Sequence, residues 1–148
     1  MHEAPATAAL LAKLHGARLP AIDLSLTRMH ALLAALGNPH HRLPPTVHVA
    51  GTNGKGSTIA YLDAVFRAAG YTPHRYTSPH LVRFHERITL AGKEIDDDQL
   101  HEVLARVACV LEDHPATFFE ASTAAAFLAF AHTPADVLLL EVGLGGRL

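Results

Sequence analysis

Apolar positions along the chain switch between the period of a strand and that of a helix. Strand patterns occupy 46–50, 72–77 and 137–141, and the last of these is a continuous apolar run of the kind found in buried parallel strands. Helical patterns lie before, between and after them. The chain is therefore predicted to have an α/β fold with a mainly parallel sheet flanked by helices.

Two helices are predicted ahead of the first strand. The first covers 8–15, and the second has Ser25 as its expected N-cap and ends at the Gly-Asn-Pro sequence 37–39. A proline-rich connector follows. On this pattern the chain divides into a helical segment with its connector, 1–45, and an α/β domain, 46–148.

Turn and capping patterns predict a hairpin and two helix starts in the second half of the chain. A small hairpin is expected over 87–95, turning near a glycine. Asp96 with Gln99, and Thr117 with Glu120, form capping-box patterns, so each pair predicts the start of a helix.

Composition limits the classes of protein that fit. The 148 residues are 49% hydrophobic and 18% charged, with a formal net charge of -2, which is typical of one ordinary globular domain and gives no general reason to expect nucleic acid as a partner. The longest apolar run is too short to cross a bilayer, and the N-terminus lacks a signal-like segment. We expect a cytoplasmic protein that does not engage a membrane.

Cysteine and histidine usage argues against a structural metal centre. Cys109 is the only cysteine and lies in a helical apolar pattern, so we expect a buried thiol and not a nucleophile. The 12 histidines are scattered without ligand spacing, and most are expected to be solvated.

A glycine-rich segment between the first strand and the next helix has the composition of a phosphate-binding loop. It reads Gly-Thr-Asn-Gly-Lys-Gly-Ser-Thr over 51–58, with the helix expected from 59 to 69. Glycines let a phosphate approach the backbone, successive N–H groups converge on it, and the helix start adds a positive dipole end. Because Gly56 separates Lys55 from the hydroxyls, the loop departs from the usual G-x-x-x-x-G-K-[ST] spacing.

Glu141 ends the buried strand and is followed by glycines at 143, 145 and 146. Ligands bind beyond the carboxyl ends of parallel strands, so Glu141 and the phosphate loop are expected at one edge of the sheet. A carboxylate there suits Mg²⁺, which takes oxygen ligands from protein and from substrate phosphates. The alternative is a strand-terminal acid that merely reaches solvent.

Four ordered motifs resemble folylpolyglutamate synthase and its bifunctional relatives with dihydrofolate synthase activity, in the Mur ligase superfamily. They are the glycine-rich loop, the Thr-Ser-Pro-His-Leu sequence at 77–81, Glu-Arg-Ile at 86–88, and Leu-Glu-Val-Gly-Leu-Gly-Gly-Arg-Leu at 140–148. The loop alone would also fit cell-wall Mur ligases, and the second and third motifs favour the folate enzymes. The resemblance implies a P-loop ATPase domain of the Mur ligase type.

This resemblance implies an ATP-dependent ligase. Dihydropteroate or a folate would be activated as an acyl phosphate, and the amine of L-glutamate would attack it, with ATP as co-substrate and Mg²⁺ as cofactor. A cell-wall UDP-muramoyl-peptide ligase and a non-catalytic nucleotide-binding module remain alternatives.

The resemblance also assigns roles to residues. Lys55 would be catalytic, and Ser78 and Glu141 would hold the metal ion. The ATP phosphates would be bound by the loop, which consists of Gly51, Thr52, Asn53, Gly54, Lys55, Gly56 and Ser57. The pterin substrate would be bound by Ile22, Asp23, Leu24, Thr117, Phe118, Phe119, Glu120 and Leu148. Phe118 and Phe119 could equally be core aromatics, and Glu120 a helix cap.

The family pattern continues past Leu148, where this sequence stops in the middle of the last motif. The resemblance therefore implies that a C-terminal glutamate-ligase domain is absent from the 148 residues, and that this segment alone is inactive. The full-length protein is expected to be a monomer.

Overall fold

The computed structural model describes residues 4–16 and 25–143. Its five-stranded sheet has the order β1-β5-β2-β3-β4. β5 pairs in parallel with both β1 and β2, while β3 pairs antiparallel with β2 and with β4. The strands are β1 (Thr46–Val49), β2 (Pro73–Tyr76), β3 (Ile88–Leu90), β4 (Lys93–Glu94) and β5 (Val137–Glu141). All three strands predicted to be parallel are present.

The described residues also form five α-helices. α3 packs on β1, β2 and β5, where Ile59 lies with Val137 and Leu139 in a buried apolar cluster. The helices are α1 (Pro5–His15), α2 (Thr27–Ala35), α3 (Lys55–Ala68), α4 (Asp97–Val110) and α5 (Phe118–His132). None of the helices among the described residues is long and apolar enough to cross a membrane.

Both predicted capping boxes are confirmed. Asp96 accepts from the Gln99 amide at 2.8 Å at the start of α4, and the Gln99 side chain bonds back to the Asp96 amide. The Ser25 prediction is wrong, because α2 begins two residues later and its N-cap is Leu26. Apolar packing, with Leu32 and Leu33 buried, decides where this helix forms, and no side-chain cap is present.

The start of α3 differs from the expected residue 59. The helix begins at Lys55, directly after Gly54, whose φ of 75° places it in the left-handed region. Glycine reaches that conformation without the steric penalty of a side chain, so the chain can turn sharply from the loop into the helix. The helical turn therefore includes the lysine and the Gly-Ser pair of the glycine-rich segment.

The predicted hairpin is also present. β3 and β4 pair with Leu90 opposite Lys93, and the two turn residues, Ala91 and Gly92, both have positive φ. This is the backbone that short hairpin connections favour because its twist matches that of the strands.

The contacts divide the chain into two compact units. One contains Met1–Arg42 and Asp96–Ala129, and the other contains Leu43–Ile95 and Phe130–Leu148. In the first unit α1 packs on α4, and an exposed ion pair of 3.1 Å joins Lys13 to Glu112. The second unit contains the sheet. The simpler division at residue 45 stays a prediction.

Cys109 corrects a prediction. Its side chain is exposed, although it lies in α4. The buried stripe of this helix uses Leu100, Val103, Leu104 and Val107, and Cys109 falls outside that stripe. The apolar neighbours in the sequence were therefore a poor guide to its burial.

His74 is fully buried in β2 and uses both ring nitrogens. The Ala91 amide donates to Nδ1 at 3.0 Å, and Nε2 lies 2.8 Å from the Thr133 carbonyl. Since Nδ1 accepts, Nε2 carries the proton and donates. The ring also lies 5.0 Å from that of Phe130. Burial lowers the pKa of His74 below 6.5, outweighing the hydrogen bonds to backbone carbonyls that raise it.

The first prediction concerns the turn into α3. Replacing Gly54 with Ala should lower the free energy of unfolding by about 1 kcal/mol, because Ala strains a left-handed residue. Gly56→Ala is the matched control: its backbone is helical and no atom lies within 4 Å of the added Cβ. That variant should be stabilised by about 0.5 kcal/mol. Urea denaturation measures both, and equal effects would contradict the geometry.

The second prediction concerns pH. The folded protein binds a proton at His74 less readily than the unfolded chain, so this contribution is fully present above about pH 6.5 and is lost as the pH falls. Protonation also removes the acceptor of the Ala91 amide, which is worth about 1 kcal/mol. Denaturant unfolding of the parent and of His74→Gln between about pH 7.5 and pH 5 should show a smaller loss in the variant. Parallel curves would contradict this reasoning.

Candidate nucleotide and metal site

Three parallel strands end at the same edge of the sheet. β5 lies between β1 and β2, and Val49 at the end of β1 is paired with Glu141 at the end of β5. The Val142 amide donates to the Val49 carbonyl at 3.0 Å, which extends this pairing past the strand. The glycine-rich loop after β1, Ser78 after β2, and Glu141 therefore share one edge, as the sequence predicted.

The glycine-rich loop forms an exposed corner ahead of α3. Thr52, Asn53 and Gly54 are exposed, and the helix starts at the next residue. The first N–H groups of a helix have no acceptor within the helix and carry the positive end of its dipole. Backbone amides at Lys55, Gly56 and Ser57 are therefore available to an anion, which is the property required of a phosphate site.

Lys55 is folded back over this loop. Its Nζ donates to the Gly51 carbonyl at 2.9 Å, and the side chain is half-buried. At the other side of the corner, the Thr58 hydroxyl donates to the Gly54 carbonyl at 2.9 Å. Among the described residues, the Gly51 carbonyl is the acceptor that holds the ammonium group at the loop, and a phosphate could compete for it.

Glu141 and Ser78 lie together. The Ser78 amide donates to Glu141 Oε2 at 3.0 Å, although the two residues are 63 positions apart. The carboxylate belongs to a residue that is only 8% exposed, so this hydrogen bond offsets part of its desolvation. The structure brings together the two residues predicted to hold a metal ion.

These donors fit a hard divalent cation. A carboxylate and a hydroxyl supply oxygen ligands, which Mg²⁺ prefers. In the part of the chain that the structure describes, no cluster of three or more His, Cys, Asp or Glu side chains could hold a metal ion. A site of this kind matches an ion that uses one or two protein ligands together with phosphates and water.

The residues predicted to bind a pterin are only partly described. Ile22, Asp23, Leu24 and Leu148 lie outside the described residues. Thr117–Glu120 is described, and it lies in the helical unit at the start of α5.

Much of that segment has a structural explanation. The Thr117 amide donates to Glu120 Oε2 at 2.7 Å, and the Glu120 amide donates to the Thr117 hydroxyl at 3.2 Å. Glu120 also pairs with Arg28 at 3.3 Å, and Phe118 stacks on His15 with ring centroids 3.5 Å apart. Phe119, by contrast, is 42% exposed. Of the two aromatic rings, Phe119 is the more accessible to a ligand.

Glu86 forms a further group of hydrogen bonds, in the segment that follows Ser78. Glu86 lies in a short 3₁₀ turn, Phe84–Arg87, and its carboxylate accepts hydrogen bonds from three consecutive backbone amides, those of Leu81, Val82 and Arg83. A Glu at the third position of a turn is a signal for such capping. It was missed because Arg83 stands where a Ser, Thr, Asp or Asn normally starts that pattern.

Known proteins resemble the chain strongly, although no protein-family model matches it. It is 42% identical over 129 residues to the dihydrofolate synthase/folylpolyglutamate synthase of Escherichia coli (strain K12), which covers 86% of this chain and 30% of that protein. A structure of E. coli FolC in complex with DHPP and ADP has a TM-score of 0.88 and 38% identity, over 100% of this chain and 36% of that one.

A third comparison gives the same result. A bifunctional folylpolyglutamate synthase/dihydrofolate synthase with Mn, AMPPNP and L-glutamate bound has a TM-score of 0.86 and 37% identity, over 96% of this chain and 34% of that one. The α/β fold class is therefore confirmed. The chain spans about a third or less of the length of the curated relatives that it matches best. In sequence and in fold the chain is similar to one portion of these dihydrofolate synthase/folylpolyglutamate synthases, the resemblance that its motifs predicted.

Proposed function

We propose that this chain is the N-terminal portion of an ATP-dependent ligase that joins L-glutamate to dihydropteroate, to folyl-(poly)glutamate, or to both. The observation that carries the proposal is the meeting of the glycine-rich loop with the Ser78–Glu141 pair at one edge of the sheet. The relatives bound to ADP, DHPP, AMPPNP and L-glutamate favour the same assignment.

The proposed reaction has two steps. A carboxylate oxygen of the pterin-bearing substrate attacks the γ-phosphorus of ATP, and ADP leaves. The amine of L-glutamate then attacks the acyl carbon of the mixed anhydride, and phosphate leaves as the amide forms and the amine loses its proton. Both steps develop negative charge on oxygen, so the protein contributes mainly positioning and electrostatic stabilisation.

Residues at the sheet edge fit these needs. The backbone of Thr52–Ser57 would surround the phosphates, and Lys55 would exchange its bond to the Gly51 carbonyl for one to a phosphate oxygen. Ser78 and Glu141 would hold the divalent cation. When bound, Mg²⁺ would neutralise charge on the phosphate oxygens.

Ile22–Leu24, Thr117–Glu120 and Leu148 are the residues proposed to bind the pterin. Phe119 offers an exposed ring on which a flat heterocycle can stack, while Glu120 and Phe118 shape the start of α5. A cytoplasmic location and a monomeric state of the full-length protein stay predictions.

The substrate that accepts glutamate distinguishes the proposed function from a cell-wall ligase and from a non-catalytic nucleotide-binding module. The full-length protein, given ATP, magnesium and L-glutamate, should release ADP when dihydropteroate or tetrahydrofolate is added. A UDP-muramoyl peptide should not replace them. ADP release with that peptide alone would identify a cell-wall ligase, and ATP binding without turnover on any acceptor would identify a nucleotide-binding module.

Lys55→Ala should reduce turnover of the full-length protein by about 100-fold or more, because a phosphate-neutralising cation is lost. The fold should change little, since the hydrogen bond that the side chain makes within the described residues goes to the Gly51 carbonyl of its own loop. The control is Lys93→Ala, which removes an exposed lysine of β4. Coupled detection of ADP and a thermal melt measure the two effects. A large drop in melting temperature, or turnover equal to that of the control, would contradict the assignment.

A further inference from the structure

The loop that carries Ser78, residues 77–83, depends on hydrogen bonds to hold its conformation. It connects β2 to the 3₁₀ turn at Phe84–Arg87 and exposes two apolar side chains at its tip, Leu81 at 91% and Val82 at 81%. These side chains cannot anchor it by burial. Loops with few buried contacts are mobile unless hydrogen bonds hold them.

Glu86 supplies such bonds to the tip. Its Oε2 accepts from the Leu81 amide, and its Oε1 accepts from the amides of Val82 and Arg83, each at 2.8 Å. The hydrogen bonds from Leu81, Arg83 and Val82 lower the pKa of Glu86. One carboxylate therefore fixes three successive peptide planes, and bonds to an ionised acceptor are stronger than neutral ones.

Arg87, in the same 3₁₀ turn as Glu86, also forms hydrogen bonds with the first part of the loop. The Thr77 amide donates to the Arg87 carbonyl at 3.0 Å, and Arg87 Nε donates to His80 Nδ1 at 2.8 Å. Arg87 is only 8% exposed, and its guanidinium lies 5.4 Å from the centre of the Phe84 ring. The loop is thus held on both sides of Ser78, at Thr77 and at His80.

Ser78 in turn holds Glu141. The amide of Ser78 is the donor that orients the Glu141 carboxylate, and the Ser78 hydroxyl is the other predicted metal ligand. Any shift of the loop would move both groups together. Mutation of groups that orient metal ligands through hydrogen bonds typically lowers metal affinity or activity by about 10–100-fold.

We propose that Glu86 is a positioning residue of the metal–nucleotide site, which acts by clamping the amides of residues 81–83 and so fixing Ser78 and, through it, Glu141. This inference rests on the proposed function for its catalytic consequence. Its structural part, the rigidity of the loop, does not depend on activity.

The chemistry of the clamp defines the variants. In Glu86→Gln the amide oxygen can still accept two of the bonds, but the NH₂ group meets the third backbone N–H as donor against donor. Glu86→Ala removes all three acceptors. The matched control is Glu94→Gln, which removes an equal charge from a side chain that pairs with the guanidinium of Arg83, whereas Glu86 accepts from backbone amides.

Hydrogen–deuterium exchange of the full-length protein tests the clamp without substrates. Amides in peptides covering 78–83 should exchange faster in Glu86→Gln than in the parent, while Glu94→Gln should resemble the parent. Unchanged exchange in Glu86→Gln, or equal acceleration in both variants, would overturn the proposal.

A magnesium titration of ATP turnover tests the consequence for the site. Glu86→Gln should raise the magnesium concentration for half-maximal rate by about 10-fold, with a smaller effect on the maximal rate. Glu86→Ala should do so at least as strongly if it folds, which a thermal melt checks. A folded Glu86→Gln with the parent's magnesium requirement would overturn the proposal.

Glu141→Gln, measured in the same titration, separates failure of this inference from failure of the proposed function. If Glu141→Gln raises the magnesium requirement and Glu86→Gln does not, the clamp proposal alone is wrong. If the parent itself shows no ATP turnover with any acceptor, the proposed function is wrong, and the exchange measurement still decides whether Glu86 fixes the loop.

Discussion

Parallel pairing of β5 with both β1 and β2 is the constraint on which the candidate site depends. It brings the carboxyl ends of three strands to one edge, although the segments are far apart in the sequence. The buried side chains of Val137, Leu138 and Leu139 stabilise this central strand, and hydrogen bonds on both of its sides fix its register. A slip by one residue would place Glu141 on the other face of the sheet.

Charged side chains near the carboxyl edge of the sheet form hydrogen bonds mainly with backbone groups. The Ser78 amide meets the Glu141 carboxylate, the Gly51 carbonyl meets the Lys55 ammonium, and three loop amides meet Glu86. Peptide groups held by strands and turns need little rearrangement when a charged ligand arrives. A pre-organised polar environment of this kind is what catalysis of phosphoryl and acyl transfer requires.

Residues to which a resemblance assigns ligand binding can have structural roles, as the start of α5 shows. Glu120 closes a capping box and pairs with Arg28, and Phe118 stacks on His15, so both side chains already have structural contacts. Phe119 differs from these two residues because it is 42% exposed, which is the observation behind its proposed role as a pterin-binding residue.

Much of this protein could be predicted from local sequence. The strands at 46–49, 73–76 and 137–141, the capping box at Asp96 and the hairpin at Gly92 follow from side-chain periodicity and backbone preferences within a few residues. Four motifs in order also predicted the similarity to folylpolyglutamate synthases that the comparisons found.

Other features arose only in the folded chain: the order of the strands, the Ser78–Glu141 hydrogen bond, the exposure of Cys109 and the clamp formed by Glu86. Local sequence can specify which residues are helical or extended, because those preferences act between near neighbours. Burial, register and contacts between distant segments depend on how the whole chain packs, so only the tertiary structure decided them.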